Sequence, residues 1–439
     1  MGRIATNASK ICMLVFLFLT TFAVEANGPL KIIRERRHGA VVRRSSNRVR
    51  ISHGKRNGAH SARWKRPSKE FDVAAYGAVA DGATDSAQAM MNAWKAACAW
   101  PGKRVAKIVI PQGTFLMGPA ALIGPCRAPV EVQIQGVVKA TVDVDQYKDG
   151  VWIHFQHIHG LKVSGGGTFD GQGASAWPQN QCSYNAYCKL LPTSVKLSYV
   201  TGANIRRISS INPKFYHFVV FQSTNIKLQA LKIISPKESP NTDGIHIGDS
   251  NGVKISKTII GTGDDCISIG EGSYNVTVLG VTCGPGHGIS VGSLGKYQNE
   301  DDVIGVRVKN CTLTGTTNGL RIKTWPDSPP SSASKFLFEN IVMNNVYNPI
   351  IIDQEYCPTE SCSPKPPSRV RVSQVIFKNI KGTSASQVAV KLLCSKGVPC
   401  QNVHLTDIFL KYTGPGAALS TCSNVIGTSS GIQIPSSCV

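Results

Sequence analysis

The sequence predicts an all-β parallel β-helix with a short N-terminal helix capping one end. Three observations carry that prediction. Ionisable residues recur at a nearly fixed interval, with Asp243 and Asp265 22 residues apart and Asp265 and His287 again 22 apart. Glycine is plentiful (42 residues) while aromatics make up 7% of the chain, a balance that suits short strands and tight turns better than helices. A looser unit also returns along the chain, in which an Asn or Gly precedes a β-branched residue and a short alternating strand. A period in the low twenties belongs to a solenoid, whose equivalent positions form columns with strands about 4.8 Å apart. A propeller needs about 40 residues per blade and a leucine-rich repeat shows a leucine ladder; neither is present, and a β-sandwich is the remaining alternative.

Residues 1–26 are expected to be a secretory signal peptide. Arg3 and Lys10 supply the positive start, residues 11–19 an apolar run, and Val24-Glu25-Ala26 a cleavage site. The run is too short for a comfortable membrane span, so none is expected after its removal. Residues 27–68 are rich in Arg, Lys, Ser, Gly and His. Residues 31–69 hold 14 Lys/Arg against the single acid Glu35, a net of +13 in a chain of +22. Such a stretch buries too little apolar surface to offset its ordering entropy, which predicts a disordered segment or pro-segment, either inert or tethering the protein to an acidic polymer.

Residues 69–439 are expected to form the β-helix. Residues 70–439 carry 32 Lys/Arg and 24 acids, a moderate excess that suits an anionic polymer; nucleic acid is the generic partner for such charge, and the signal peptide argues against it. Residues 86–100 are the best helix candidate, with Ala, Met, Trp and Cys at helical spacing behind the capping residues Thr84 and Asp85. This helix would hide the open apolar end of the solenoid. Short strands follow at 107–110, 130–134, 151–154 and 161–163. Copies of the repeat then begin near Asn204, Asn225, Gly252, Asn275, Gly305, Gln374 and Asn402.

Of 14 cysteines, Cys12 lies in the signal peptide, which leaves an odd number and at least one thiol unpaired or bonded to another chain. Cys394/Cys400, Cys422/Cys438, Cys182/Cys188 and Cys357/Cys362 are close enough to be local staples, with connectivity open. No CxxC pair or histidine cluster supports zinc. Asn275-Val276-Thr277 and Asn310-Cys311-Thr312 are glycosylation acceptors for a secreted chain.

The chemistry lies between Asn241 and Lys323, in SPNTDGIHIGDS, GTGDDCISIG, CGPGHGISVGSLG and NGLRIKTW. Carboxylates on adjacent coils repel one another and raise at least one pKa, as a general acid requires. Adjacent aspartates alone are commonplace in turns, but Asp264-Asp265 leads directly into a strand. A lone histidine is most often structural; the one-coil offset of His287 from Asp265 favours a role in holding a carboxyl proton. Arg321 and Lys323 flank Ile322 on a strand and therefore share one face, suited to gripping a carboxylate. Calcium is the competing reading of an oxygen-rich cluster; His287 is no calcium ligand, and two cations beside the acids oppose it.

NTDG, GDDC, GHG and RIK, in that order and spacing, closely resemble the polygalacturonases of glycoside hydrolase family 28. The resemblance spans about residues 71–439 and is strongest to plant members. It implies a right-handed parallel β-helix and metal-independent, cofactor-free, inverting hydrolysis of α-1,4-linked galacturonic acid in homogalacturonan, by a monomer in the cell wall. Asp264 resembles the general acid, Asp243 and Asp265 the carboxylates that hold and deprotonate the attacking water, and His287 the residue that maintains the protonation of Asp264. Arg321 and Lys323 resemble the binders of the sugar carboxylate. Tyr356 and Asn241 are expected to contact substrate, and Cys266 and Cys283 match a disulfide bracing the catalytic coils. The tract from His246 to Gly272 and SLGKYQNEDDV look more like the pollen-type, exo-acting branch. The rivals are a calcium-dependent pectate lyase on the same architecture and a catalytically inactive pectin-binding wall protein.

Overall fold

The structure, a computed structural model, describes residues 68–182, 185, 188–358 and 365–439. The expected signal peptide, and the basic segment up to residue 67, lie outside the described residues. From Lys69 onward short strands follow one another and pair in parallel, coil upon coil. One face is an 11-stranded sheet from Ala120–Ile123 to Leu419–Ser423, to which each coil adds one strand in chain order. The remaining strands build the other walls of a right-handed parallel β-helix.

Alternation along each strand decides what faces inward. In the 11-stranded sheet Val195, Phe218, Ile245, Ile267, Ile289, Leu320 and Ile350 are in register. Two residues on, Leu197, Val220, Ile247, Ile269, Val291, Ile322 and Ile352 form a second column. All fourteen are at most 1% exposed. Each such side chain contributes about 1.5–3 kcal/mol of burial, so the columns hold the stack together. The residues between them, Lys196, Val219, His246, Ser268, Ser290 and Arg321, must therefore point outward along one line.

The coils turn through residues in the left-handed backbone region. Gly160, Gly202, Asn225, Gly252, Asn275, Gly305, Lys335, Gln374 and Asn402 all have φ between 54° and 81°. Only glycine and, less readily, asparagine visit this region at low cost, which is the physical origin of the repeat. Register corrects its frame: Asn204 pairs with Lys227, so the copy before Asn225 starts at Gly202 and not at Asn204. Register also reveals a copy at Lys335, hidden because a lysine occupies the turn.

The helix runs over Ala87–Ala99 and buries Ala87, Ala89, Met90, Ala93, Trp94 and Ala97 against the first coils. Neither expected cap holds the N-cap position, which is Ser86 and makes no side-chain capping bond; from the residue before it, Asp85 Oδ1 accepts the Ala87 N–H at 2.9 Å and the Gly118 N–H at 2.9 Å. The Thr84 hydroxyl turns back to Asp81. Disulfides join Cys182–Cys188, Cys266–Cys283, Cys394–Cys400 and Cys422–Cys438. A further bridge, Cys98–Cys126, ties the helix to a neighbouring coil; 28 residues separate its ends, so proximity in sequence did not suggest it. Cys362 lies outside the described residues. The free thiol among the described residues is the buried Cys311. Asn275 and Asn310 are both exposed.

Candidate active site

Asp243, Asp265 and His287 each stand two residues ahead of Ile245, Ile267 and Ile289, which are in register. The 22-residue interval is thus one coil, and the three side chains stack at the mouths of consecutive strands. Arg321 and Lys323 extend from the next strand, Asn318–Thr324, on either side of buried Ile322, and Arg321 is in register with Ser290. Asp264 is gripped by the following coil. The His287 N–H donates to its carbonyl at 2.8 Å, and His287 Nδ1 lies 2.9 Å from its Oδ1. This close approach needs Gly286, where a Cβ would fall 2.7 Å from the Asp264 carbonyl oxygen. Asp264 Oδ1 also accepts the Asp265 N–H at 2.8 Å, and Oδ2 accepts Asn241 Nδ2–H at 3.2 Å.

Asp265 is buried, and both of its oxygens accept hydrogen bonds. Oδ1 accepts from Ser290 Oγ at 2.7 Å and from Arg321 Nη2 at 2.7 Å, and Oδ2 from Lys323 Nζ at 2.9 Å. Burial pushes its carboxyl up, but the two cations and the hydrogen bonds outweigh burial and bring it down to about 2. Asp243 is shifted the other way. Burial first, and then the charges of Asp264 and Asp265, hold its carboxyl well above the ordinary range. Its Oδ2 accepts from Ser268 Oγ at 2.7 Å, and Ser268 Oγ lies 2.8 Å from Nδ1 of His246. Because the single Ser268 hydrogen is given to Asp243, the His246 ring places its proton on Nδ1. Burial, with Lys323 second, pulls His246 down to about 4, so the ring is neutral.

These groups surround a cavity of about 380 Å³ whose walls include Asn241, Asp243, Asp264, Asp265, Lys323 and Tyr356. Every expected site residue is therefore at or against one cavity, although Arg321 and His287 reach it through Asp265 and Asp264. One expectation is modified. Arg321 and Lys323 were to face a substrate carboxylate, and both are ion-paired with Asp265, because stacking brings opposite charges on neighbouring coils into contact. One atom each of Asp264, Asp265 and His287 lies within 4.8 Å of the others. With Asp265 committed to two cations and Asp264 Oδ1 set against the Asp265 N–H and the His287 ring, that trio is a poor donor set for a hard cation, which takes six to eight oxygen ligands.

Sequence reasoning missed Ser268, Ser290 and His246. Their signal was the alternation in ISIG, ISVG and IHIG, where a polar residue between two buried ones must face the site. Nor does that reasoning place the loop that follows Leu294 at the site, since SLGKYQNEDDV is read only for its likeness to the exo-acting branch. There Glu300 accepts backbone N–H groups of Gly295, Lys296 (2.7 Å) and Tyr297 (2.8 Å), setting Lys296 and Tyr297 on the cavity wall. A second cavity of about 670 Å³ shares Glu271, Tyr297 and Glu300 with the first and adds Asp249 and Asp301. Burial, then neighbouring acids, raises the carboxyls of both Asp249 and Glu271.

Comparison with known proteins supplies independent evidence. Residues 101–433 match the family described as glycosyl hydrolases family 28. An exopolygalacturonase of Platanus acerifolia is 50% identical over 367 residues, covering 83% of this chain and 96% of the relative. A polygalacturonase of Gossypium hirsutum is 48% identical over 375 residues, covering 85% and 92%. Among solved structures, a hyperthermoactive exopolygalacturonase from Thermotoga maritima superposes with a TM-score of 0.68 at 20% identity, over 82% of this chain and 92% of that one. At that identity the likeness concerns the fold alone.

Proposed function

The chain belongs to glycosyl hydrolases family 28, and we infer from this that it is an enzyme hydrolysing α-1,4-D-galacturonosyl linkages of pectic homogalacturonan. The observation that carries the reading is the divergence of neighbouring carboxylates around one cavity. Asp265 is held anionic by Arg321 and Lys323, while burial and the charges of Asp264 and Asp265 hold the Asp243 carboxyl well above the ordinary range. Pairs of acids driven to different protonation states are what acid–base cleavage of a glycosidic bond requires.

In the proposed mechanism a water sits between Asp243 and Asp265 and attacks the anomeric carbon. Asp265 takes its proton while Asp264 donates one to the leaving oxygen, and attack on the face opposite that oxygen inverts the anomeric centre. His287 maintains the proton on Asp264 by hydrogen bonding. Arg321 and Lys323 carry one positive charge more than Asp265 cancels, and this surplus draws in the sugar carboxylate. Asn241 and Tyr356 contact the sugar from the cavity wall. The enzyme acts as a monomer that needs no cofactor.

We propose further that attack is from a chain end. The exopolygalacturonase names among its relatives support this, as do the four acids Asp249, Glu271, Glu300 and Asp301 along one flank, which repel a polyuronate continuing that way. Secretion to the cell wall is the matching location, supported by the signal-like residues 1–26 and by plant relatives with the same reaction in their names. Among the described residues no helix is long and apolar enough to cross a membrane. Chromatography of the early products from long polygalacturonate tests the reading. Galacturonic acid alone is expected, a ladder of oligomers overturns exo-action, and unsaturated ends absorbing in the ultraviolet overturn hydrolysis altogether.

A further inference from the structure

We propose that Lys296 binds the carboxylate of the galacturonate unit next to the one being cleaved, and so sets a preference for de-esterified over methyl-esterified chains. The inference rests on the hydrolase reading above and adds a substrate-binding residue to it.

The case begins with a shortage of available cations. Arg321 and Lys323 are ion-paired with the same Asp265 carboxylate at 2.7 and 2.9 Å and are mostly buried behind it. Between them they offer one uncompensated charge, whereas each ring of the polymer carries a carboxylate. Lys296 also lines the cavity and, among the described residues, forms no ion pair. Its ammonium instead lies 5.3 Å from the ring centroid of Tyr297 and 5.6 Å from that of Trp325. Aromatic faces hold a cation in place without neutralising it, and more weakly than a carboxylate does, so an incoming carboxylate can recruit it.

The surroundings fit that task. The nearest acid on its own loop, Glu300, is occupied with the backbone N–H groups of Gly295, Lys296 and Tyr297, which holds the loop in shape. Trp325 meets Tyr356 edge to face at 5.5 Å, and Lys323 Nζ lies 5.2 Å from the Tyr356 ring. The two rings thus form one wall, with an ammonium at each end. A polymer bearing one carboxylate per sugar can engage both ends with consecutive units.

Lys296→Met keeps the aliphatic packing on the rings and removes the charge; Lys296→Arg keeps both. Rates on de-esterified and on methyl-esterified galacturonan, with calorimetric affinity for trigalacturonate in an Asp264→Asn background, give the readouts. For Lys296→Met, KM on de-esterified substrate is expected to rise about tenfold or more, the worth of a lost charge-assisted hydrogen bond, with kcat falling much less. KM on esterified substrate should move much less, and Lys296→Arg should restore most of the affinity. Equal loss on both substrates would make Lys296 a packing residue, and no change on either would remove it from binding; both results overturn the proposal. Should the wild type hydrolyse neither polymer, the hydrolase reading falls, while trigalacturonate affinity still decides the role of Lys296.

Discussion

Asp265 and Arg321 are 56 residues apart in sequence and two coils apart in space, and they meet at 2.7 Å with side chains 1% and 11% exposed. Losing Arg321 leaves Asp265 paired with Lys323 at 2.9 Å, so the cost is that of a hydrogen bond to a charged group, about 1.5–3 kcal/mol. Arg321→Met is expected to lower thermal stability by that order at neutral pH. The sign follows from Asp265 being held at about 2, below its unfolded value. Its stabilisation is complete above pH ~4 and is lost as pH falls through about 2. The Tm difference between wild type and variant should therefore shrink as melts are recorded from pH 5 downward. A constant difference would mean that packing, not charge, is what Arg321 supplies.

Asp243 makes the opposite prediction. Its carboxyl is raised by burial and by Asp264 and Asp265, so ionisation costs stability as pH climbs above the unfolded value. Asp243→Asn removes that cost and keeps an acceptor for the Ser268 hydroxyl. The variant should be inactive yet melt higher than wild type at pH 7, with no gain near pH 3. Calorimetric melts across that range would show it, and a variant less stable at pH 7 would count against a raised Asp243.

Asp264→Asn retains the acceptor for the Asp265 N–H and sits at a partly exposed position. Loss of a general acid is expected to cut kcat by about 10²–10⁴-fold while the Tm stays close to wild type. Release of reducing ends, measured beside the melt, separates chemistry from folding; substantial retained activity would remove Asp264 from its role.

Cys266 and Cys283 join the coil of Asp265 to the coil of His287 across 17 residues. A loop of that length is worth about 3 kcal/mol. The double variant Cys266→Ala/Cys283→Ala should unfold at correspondingly lower urea concentration and lose activity at temperatures where it is still folded. Unchanged activity in the folded variant would show that the bridge has no part in aligning the catalytic coils.

The sequence displayed the Asp243–Asp265–His287 column because uninterrupted coils turn stacking into a constant interval. It did not display what each acid is bonded to. Ser268 and Ser290 are ordinary strand serines until register sets one under Asp243 and the other under Asp265. The capture of Arg321 and Lys323 by Asp265 depends on a longer coil of variable length, which obscures the period. Two details of the repeat escape the sequence for a similar reason: Asn204 copies the look of a turn residue without its conformation, and Lys335 has the conformation without the look.

Stacked coils also impose an order on biosynthesis. The chain leaves the ribosome N-terminus first, so the coils bearing Asp243, Asp264 and Asp265 can wind while Arg321 and Lys323 are still unmade. Through that interval the nascent ribbon carries a cluster of mutually repelling acids at its growing tip, and the arrival of residues 318–324 relieves it. Translation thus supplies the counter-charges last, and a polypeptide released before Arg321 would hold every proposed proton donor and acceptor in an unneutralised, self-opposing array.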